Sequence, residues 1–217
     1  MHAPKRNFRK NLIFLSPLTI SAFTAYALIA RKKIMKNKNR VCPVALAGSL
    51  DSTFRRWLHN PRKILKPHIS EGMHVLDIGC GPGFFSIEMA GLTGKTGRVT
   101  AADMQEGMLE IVKKKIQNTE LADRIILHKC SADKIGIASQ VDFALAFYMV
   151  HEVPDKKMFF QELSTIIKPG GSVYIVEPAF HVSVKSFYEM IAIAESEGFR
   201  RAARPKLFID KAVLLKR

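Results

Sequence analysis

The sequence predicts an α/β protein: a doubly wound, seven-stranded, mostly parallel sheet with a C-terminal antiparallel hairpin and an N-terminal apolar helix. Three observations carry this. From residue 74 onward, short apolar runs alternate with longer segments of helical spacing. The connections between them are short, as right-handed strand-helix-strand units require. One run, residues 141–149, is apolar almost throughout, which suits a strand buried on both faces.

Residues 41–67 come first in this body. Ser49 and Asp51 are cap-type residues, Phe54, Trp57 and Leu58 follow at helical spacing, and Asn60-Pro61 and Lys66-Pro67 interrupt the pattern. One or two helices therefore precede the first strand. Strand one is residues 74–79, followed by a helix over 84–92 and glycines at 91, 94 and 97 that turn the chain. Strand two is 98–103, an amphipathic helix covers 105–119, and strand three is 124–129. Strand four is 141–149. A helix over 158–167 ends at Lys168-Pro169-Gly170-Gly171, strand five is 172–178, and a helix spans 186–198. Residues 199–205 and 211–217 form the terminal hairpin, turning near Pro205.

Residues 1–40 read as a separate segment. They hold ten basic side chains and no acidic one, and residues 11–30 carry no charge. That length of apolar helix crosses a bilayer, although Ser16, Pro17, Thr19, Ser21 and Thr24 dilute it. Three readings compete: a membrane anchor, a secretory signal with Ala25-Tyr26-Ala27 at its cleavage site, and upstream sequence ahead of a start at Met35. As an anchor, six basic residues behind the span against four ahead of it place the domain on the cytoplasmic face.

Residues 41–217 read as one domain. They carry 24 basic and 19 acidic side chains, so only +5 of the total +15 belongs to them. That leaves no strong electrostatic footprint for nucleic acid. Three cysteines (42, 80 and 130) without a CxxC pair, and scattered histidines, suggest neither a disulfide framework nor a metal site.

In a doubly wound sheet, ligands sit at the carboxyl ends of the strands, near the point where strand order reverses. The loop after strand one, "VLDIGCGPG" (75–83), has Gly79, Gly81 and Gly83 at every second position behind Asp77. Phe84 stands where the dinucleotide fingerprint needs its third glycine, and no Gly-Lys-Ser/Thr follows, so both phosphate-binding readings weaken. Asp103, ending strand two, is placed to accept from ribose hydroxyls. Asp133, after strand three, is placed to accept from an exocyclic adenine amine. Three carboxylates around one cleft repel a phosphate-rich ligand and suit a nucleoside carrying positive charge.

Together with "VTAADM" (99–104), "SAD" (131–133), "VDFALAFYMVHEVPD" (141–155) and "LSTIIKPGG" (163–171), this loop makes the chain resemble the class I S-adenosylmethionine-dependent methyltransferases over residues 45–217. "HEVPD" and the "AVLLKR" ending resemble the small-molecule branch that includes ubiquinone and menaquinone C-methyltransferases. The resemblance implies a Rossmann-like methyltransferase fold and S-adenosyl-L-methionine as cofactor. It implies that the glycine loop with Gly79, Gly81 and Gly83 passes under the methionyl part, that Asp103 meets the ribose, that Ala132 and Asp133 meet adenine, and that Asp77, Cys80 and Met104 belong to the same cofactor-binding set. Phe147 joins that set. The implied reaction is in-line methyl transfer to a small, lipophilic acceptor. The alternative is a non-catalytic cofactor-binding module on the same scaffold. An RNA methyltransferase is disfavoured: "FYMVHE" stands where an Asn/Asp-Pro-Pro-Tyr/Phe motif belongs.

Candidates for handling the acceptor follow strand four: His151 as a base near neutral pH, Tyr148 through cation–π attraction to a sulfonium, and Glu152. The plainer readings are a loop-fixing histidine and a core tyrosine. Glu177 and His181 face the same open end of the sheet. Cys80 reads as a small side chain under the loop, and Lys113–Lys115 as a solvated helix face.

Overall fold

The computed structural model describes residues 41–217, and the chain divides into two units at Cys42–Pro43, the second of which, residues 43–217, is compact. The second unit opens with a 3-10 turn (Val44–Leu46) and three short helices, α1 (Ala47–Leu50), α2 (Thr53–Leu58) and α3 (Pro61–Leu65). Ser52 and Asn60 cap α2 and α3 by accepting from the backbone N–H of Arg55 and Lys63, and Pro61 starts α3 where its missing N–H is harmless. Then follow β1 (His74–Ile78), α4 (Ser86–Thr93), β2 (Arg98–Asp103), α5 (Glu106–Ile116), β3 (Ile125–Lys129), β4 (Val141–Phe147), α6 (Lys156–Ile166), β5 (Ile167–Glu177), α7 (Val184–Ser196), β6 (Arg200–Ala203) and β7 (Lys211–Lys216).

The seven strands lie in the order β3-β2-β1-β4-β5-β7-β6. β1 to β5 pair in parallel, and β7 runs antiparallel between β5 and β6. The expected doubly wound sheet with its terminal hairpin is therefore present. Strand order reverses between β1 and β4, so the crevice lies beyond their carboxyl ends. Ile78 pairs with both Ala102 and Ala146, and Phe147 with Val176. This register brings the loops after β1, β2, β4 and β5 to one edge.

Side-chain alternation along the strands sorts the core into two layers. Leu76, Ile78, Ala144 and Ala146 face Phe160, Leu163 and Phe187 of α6 and α7. Val75, Phe143, Leu145 and Phe147 face the other way, with Met89 and Val112 of α4 and α5. Each fully buried Phe or Leu in these layers contributes about 1.5–3 kcal/mol relative to exposure. The same alternation puts Asp77 on the Val75 face, against α4.

Several boundaries differ from the sequence reading. Tyr148 and Met149 lie beyond β4: Tyr148 still donates its N–H to Val176 O of β5, but its φ of 62 ends the extended backbone. The Lys168-Pro169-Gly170-Gly171 stretch does not merely end α6: β5 already begins at Ile167, which pairs with Val141 across a register shift. Phe54 and Trp57 share helical spacing yet are 56% and 77% exposed, so that spacing does not mark core there. Among the described residues no helix is long and apolar enough to cross a membrane. Residues 11–30, the expected apolar helix and anchor, lie outside the described residues.

Candidate functional site

The loop from β1 into α4 is built around the glycines. Gly79, Gly81 and Gly83 all take positive φ, at 69, 52 and 81°, a region that costs an L side chain. Two positions also lack room. A Cβ on Gly79 would stand 3.0 Å from Met149 Cβ, and one on Gly83 would stand 3.1 Å from Val112 Cγ2. Gly79 and Cys80 donate their N–H groups to Ala102 O at 2.8 and 3.0 Å, which ties the loop to β2.

Two buried carboxylates flank it. Asp77 is 2% exposed and accepts from Ser86 Oγ at 2.6 Å. Burial pushes its carboxyl up to about 6, Ser86 pulls back, the Asp103 charge adds to the rise, and Arg55 opposes it. Asp103 accepts from Gly81 N at 2.9 Å and Gln105 N at 2.8 Å. Burial raises its carboxyl too, against those hydrogen bonds. Burial first, then the charges of Asp77 and Asp103, holds the Cys80 thiol far above its ordinary value, so this sulfur is no nucleophile. Two partly uncompensated buried carboxylates beside a close-approach backbone loop fit a cationic nucleoside ligand.

The rest of the expected cofactor set spreads around this crevice. Phe147 is buried, and its ring lies 4.5 Å from both Phe85 and Tyr148. Met104 is 38% exposed. Ala132 and Asp133 lie on the exposed rim, where Ser131 Oγ donates to Asp133 Oδ1 at 2.7 Å and holds that carboxyl below its ordinary value.

At the ends of β4 and β5 the structure brings His151 and Glu177 together. Glu177 is 1% exposed. Its carboxylate accepts from His151 Nδ1 at 2.5 Å and from His151 backbone N at 3.2 Å. In the neutral ring Nδ1 therefore carries the proton and Nε2 presents the lone pair. Burial disfavours the imidazolium, but the hydrogen bond and charge of Glu177, with the charge of Glu152, outweigh it and raise the His151 pKa above the ordinary histidine value. Glu152 Oε1 lies 4.0 Å from His151 Nε2. His151, Lys156, Glu177, His181, Ser186 and Met190 line a cavity of about 230 Å³.

Tyr148 does not offer its hydroxyl as a base. It donates to Asp210 Oδ2 at 2.5 Å, and burial with that carboxylate pushes the phenol far above its ordinary value. Sequence reasoning missed Asp210, His59 and Arg55. The Arg55 guanidinium stacks over Phe84, Phe147 and Tyr148 at 4.8, 5.6 and 5.9 Å. It also missed Glu177 as the group that orients His151. No local motif marks these residues, because each partner lies on a different element.

Known proteins similar in fold or sequence point the same way. A methyltransferase from Aquifex aeolicus described as SAM-dependent superposes with a TM-score of 0.72 at 26% identity, covering 81% of this chain and 99% of that one. The demethylmenaquinone methyltransferase of Halalkalibacterium halodurans is 33% identical over 57% of this chain and 49% of its own length. That of Oceanobacillus iheyensis is 29% identical over 57% and 51%. The chain thus spans about half the length of the curated relatives it matches. Residues 69–204 match the methyltransferase domain family. By that match, by its sheet and by its glycine loop, the chain belongs to the class I S-adenosylmethionine-dependent methyltransferases.

Proposed function

We propose that this chain transfers a methyl group from S-adenosylmethionine to a small hydroxylated acceptor, a phenol or hydroquinone-like ring, held in the cavity beside His151. Bound, the cofactor supplies an activated methyl group. The chain's own residues do the rest. Gly79, Gly81 and Gly83 let the backbone approach the cofactor. Asp103 accepts from ribose hydroxyls, and Asp77 offers charge to the cationic end. Ala132, Asp133, Met104 and Phe147 bound the nucleoside.

The carrying observation is the buried Glu177 behind His151 at the cavity wall. Glu177 fixes the ring and its tautomer, so Nε2 can take the acceptor's hydroxyl proton as the methyl group arrives. Positioning of the oxygen and exclusion of water supply most of the remaining acceleration. A module that only bound cofactor would have no need of a buried carboxylate aimed at a partly exposed histidine, because burying that carboxylate is expensive. The relatives named for demethylmenaquinone support a ring acceptor. If residues 11–30 anchor the chain, such an acceptor would be met at the cytoplasmic membrane face.

The test is product identification. The purified chain is incubated with methyl-labelled S-adenosylmethionine and a panel of phenols, catechols and hydroquinones, and products are resolved by mass spectrometry. Label is expected on a small hydroxylated ring. Label found only on RNA or protein would refute the assignment.

A further inference from the structure

The structure assigns His59 and Asp210 a positioning role in methyl-donor recognition: together they clasp the Tyr148 hydroxyl and set that ring as a wall that reads the donor's positive charge. This rests on the cofactor assignment above.

The clasp is a closed triangle of side chains from three distant segments. Asp210 Oδ2 accepts from Tyr148 at 2.5 Å and from His59 Nε2 at 2.8 Å, and the Tyr148 hydroxyl lies 3.2 Å from the same nitrogen. His59 sits between α2 and α3, and Asp210 immediately precedes β7. Their side chains are only 4% and 5% exposed. A carboxylate oxygen only accepts, so the proton on Nε2 faces Asp210 and Nδ1 stays outside the triangle. Among the described residues, that Nδ1 is the buried side-chain atom without a hydrogen-bond partner. Burying such a polar group, with a carboxylate beside it, is unfavourable, and apolar packing would serve stability equally well. What the triangle supplies is orientation.

The residue it orients is strained. Tyr148 takes φ 62 directly after β4, while its N–H donates to Val176 O at 2.8 Å. The backbone is thus held to β5 in a conformation that bulky residues avoid, as is common at functional positions. Its neighbours place it at the crevice: Met149 packs on Gly79, and the Tyr148 ring lies 4.5 Å from that of Phe147. With Phe84, on the glycine loop, these rings already receive one cation, the Arg55 guanidinium. It lies nearest Phe84 and farthest from Tyr148. Aromatic faces that accept a guanidinium also accept a sulfonium.

The donor and its product differ in that respect: S-adenosylmethionine has a sulfonium, and S-adenosylhomocysteine a neutral thioether. Calorimetric affinities for both, measured on the full chain, test the clasp without any acceptor. Asp210→Asn is expected to weaken S-adenosylmethionine binding three- to tenfold and leave S-adenosylhomocysteine within twofold. Tyr148→Phe, which keeps the ring and its packing, should do the same. The double variant should lose no more than twofold beyond either single one, because both act through one ring. Equal weakening of both ligands, no change in either, or multiplying effects in the double variant would overturn the clasp. If Asp210→Asn fails to fold by thermal melt, Tyr148→Phe alone decides between the same outcomes. A wild-type chain that binds neither ligand would instead overturn the cofactor assignment.

Discussion

Replacing Asp77 by Asn separates what the donor site does for the ligand from what it does to the protein. Asp77 is buried, with one side-chain donor, Ser86. Burial, helped by the Asp103 charge and opposed by Ser86 and Arg55, places its carboxyl at about 6, against an ordinary 3.8. An acid raised in this way is favoured in its protonated form by the fold. The fold's preference for the protonated form is fully present below 3.8 and is lost as pH rises through 6. Holding the charge at pH 7 therefore costs about 3 kcal/mol. Asn relieves that penalty, so the cofactor-free variant should be up to about 3 kcal/mol more stable at pH 7 and should gain nothing at pH 3.

Cofactor affinity should move the other way. A cationic ligand favours the ionised carboxylate, so wild-type affinity for S-adenosylmethionine should rise with pH through 6. At pH 5 only about one Asp77 in ten is ionised, and with the uncharged form binding about tenfold more weakly this puts affinity roughly fivefold below its plateau. Asp77→Asn should bind about tenfold more weakly at pH 7 and lose most of that slope. Calorimetry from pH 5 to 8, with thermal melts of the cofactor-free proteins, reads both effects. A variant that is no more stable and keeps the wild-type slope would refute the reasoning.

Other perturbations separate neighbouring roles. Asp103→Ala should weaken cofactor binding by about 1–3 kcal/mol, the scale of lost hydrogen bonds to a charged group, as read by calorimetry. Gly81→Val should fold, about 1–2 kcal/mol less stable because of its positive φ, and lose cofactor binding. A Cβ there meets only Leu50 Cδ1 at 3.8 Å. Gly83→Val must also displace Val112 and should melt lower than Gly81→Val. For residues 11–30, retention of the full chain in membranes through a carbonate wash is the outcome expected of an anchor. A native N-terminus at Met35 in the soluble fraction would remove that anchor.

The sheet and the glycine loop were legible in the sequence because their signals are local. Alternating apolar runs mark β1 to β5, and Asp77, Gly79, Gly81 and Asp103 sit at spacings that only a strand-loop-helix unit explains. What was not legible depends on contacts across the chain. His59 and Asp210 are 151 residues apart and meet only once β7 has inserted beside β5. Glu177 looked like a group open to the acceptor, and burial instead turns it onto His151. Phe54 and Trp57 show the opposite failure: their helical spacing predicts buried side chains, and both are largely exposed.

If His151, oriented by Glu177, takes the acceptor's proton, single-turnover methyl transfer from pre-bound S-adenosylmethionine across pH 5–9 must follow the titration of that ring. With the wild type, the rate should climb as His151 deprotonates, with an inflection above the ordinary histidine value of 6.5. Glu177→Gln removes the charge that raises this value, so the inflection should move to lower pH and the plateau should fall. His151→Asn should lower the plateau by about 10²–10⁴-fold with cofactor affinity within twofold. An unchanged plateau in His151→Asn, or an inflection that stays in place in Glu177→Gln, would contradict the account.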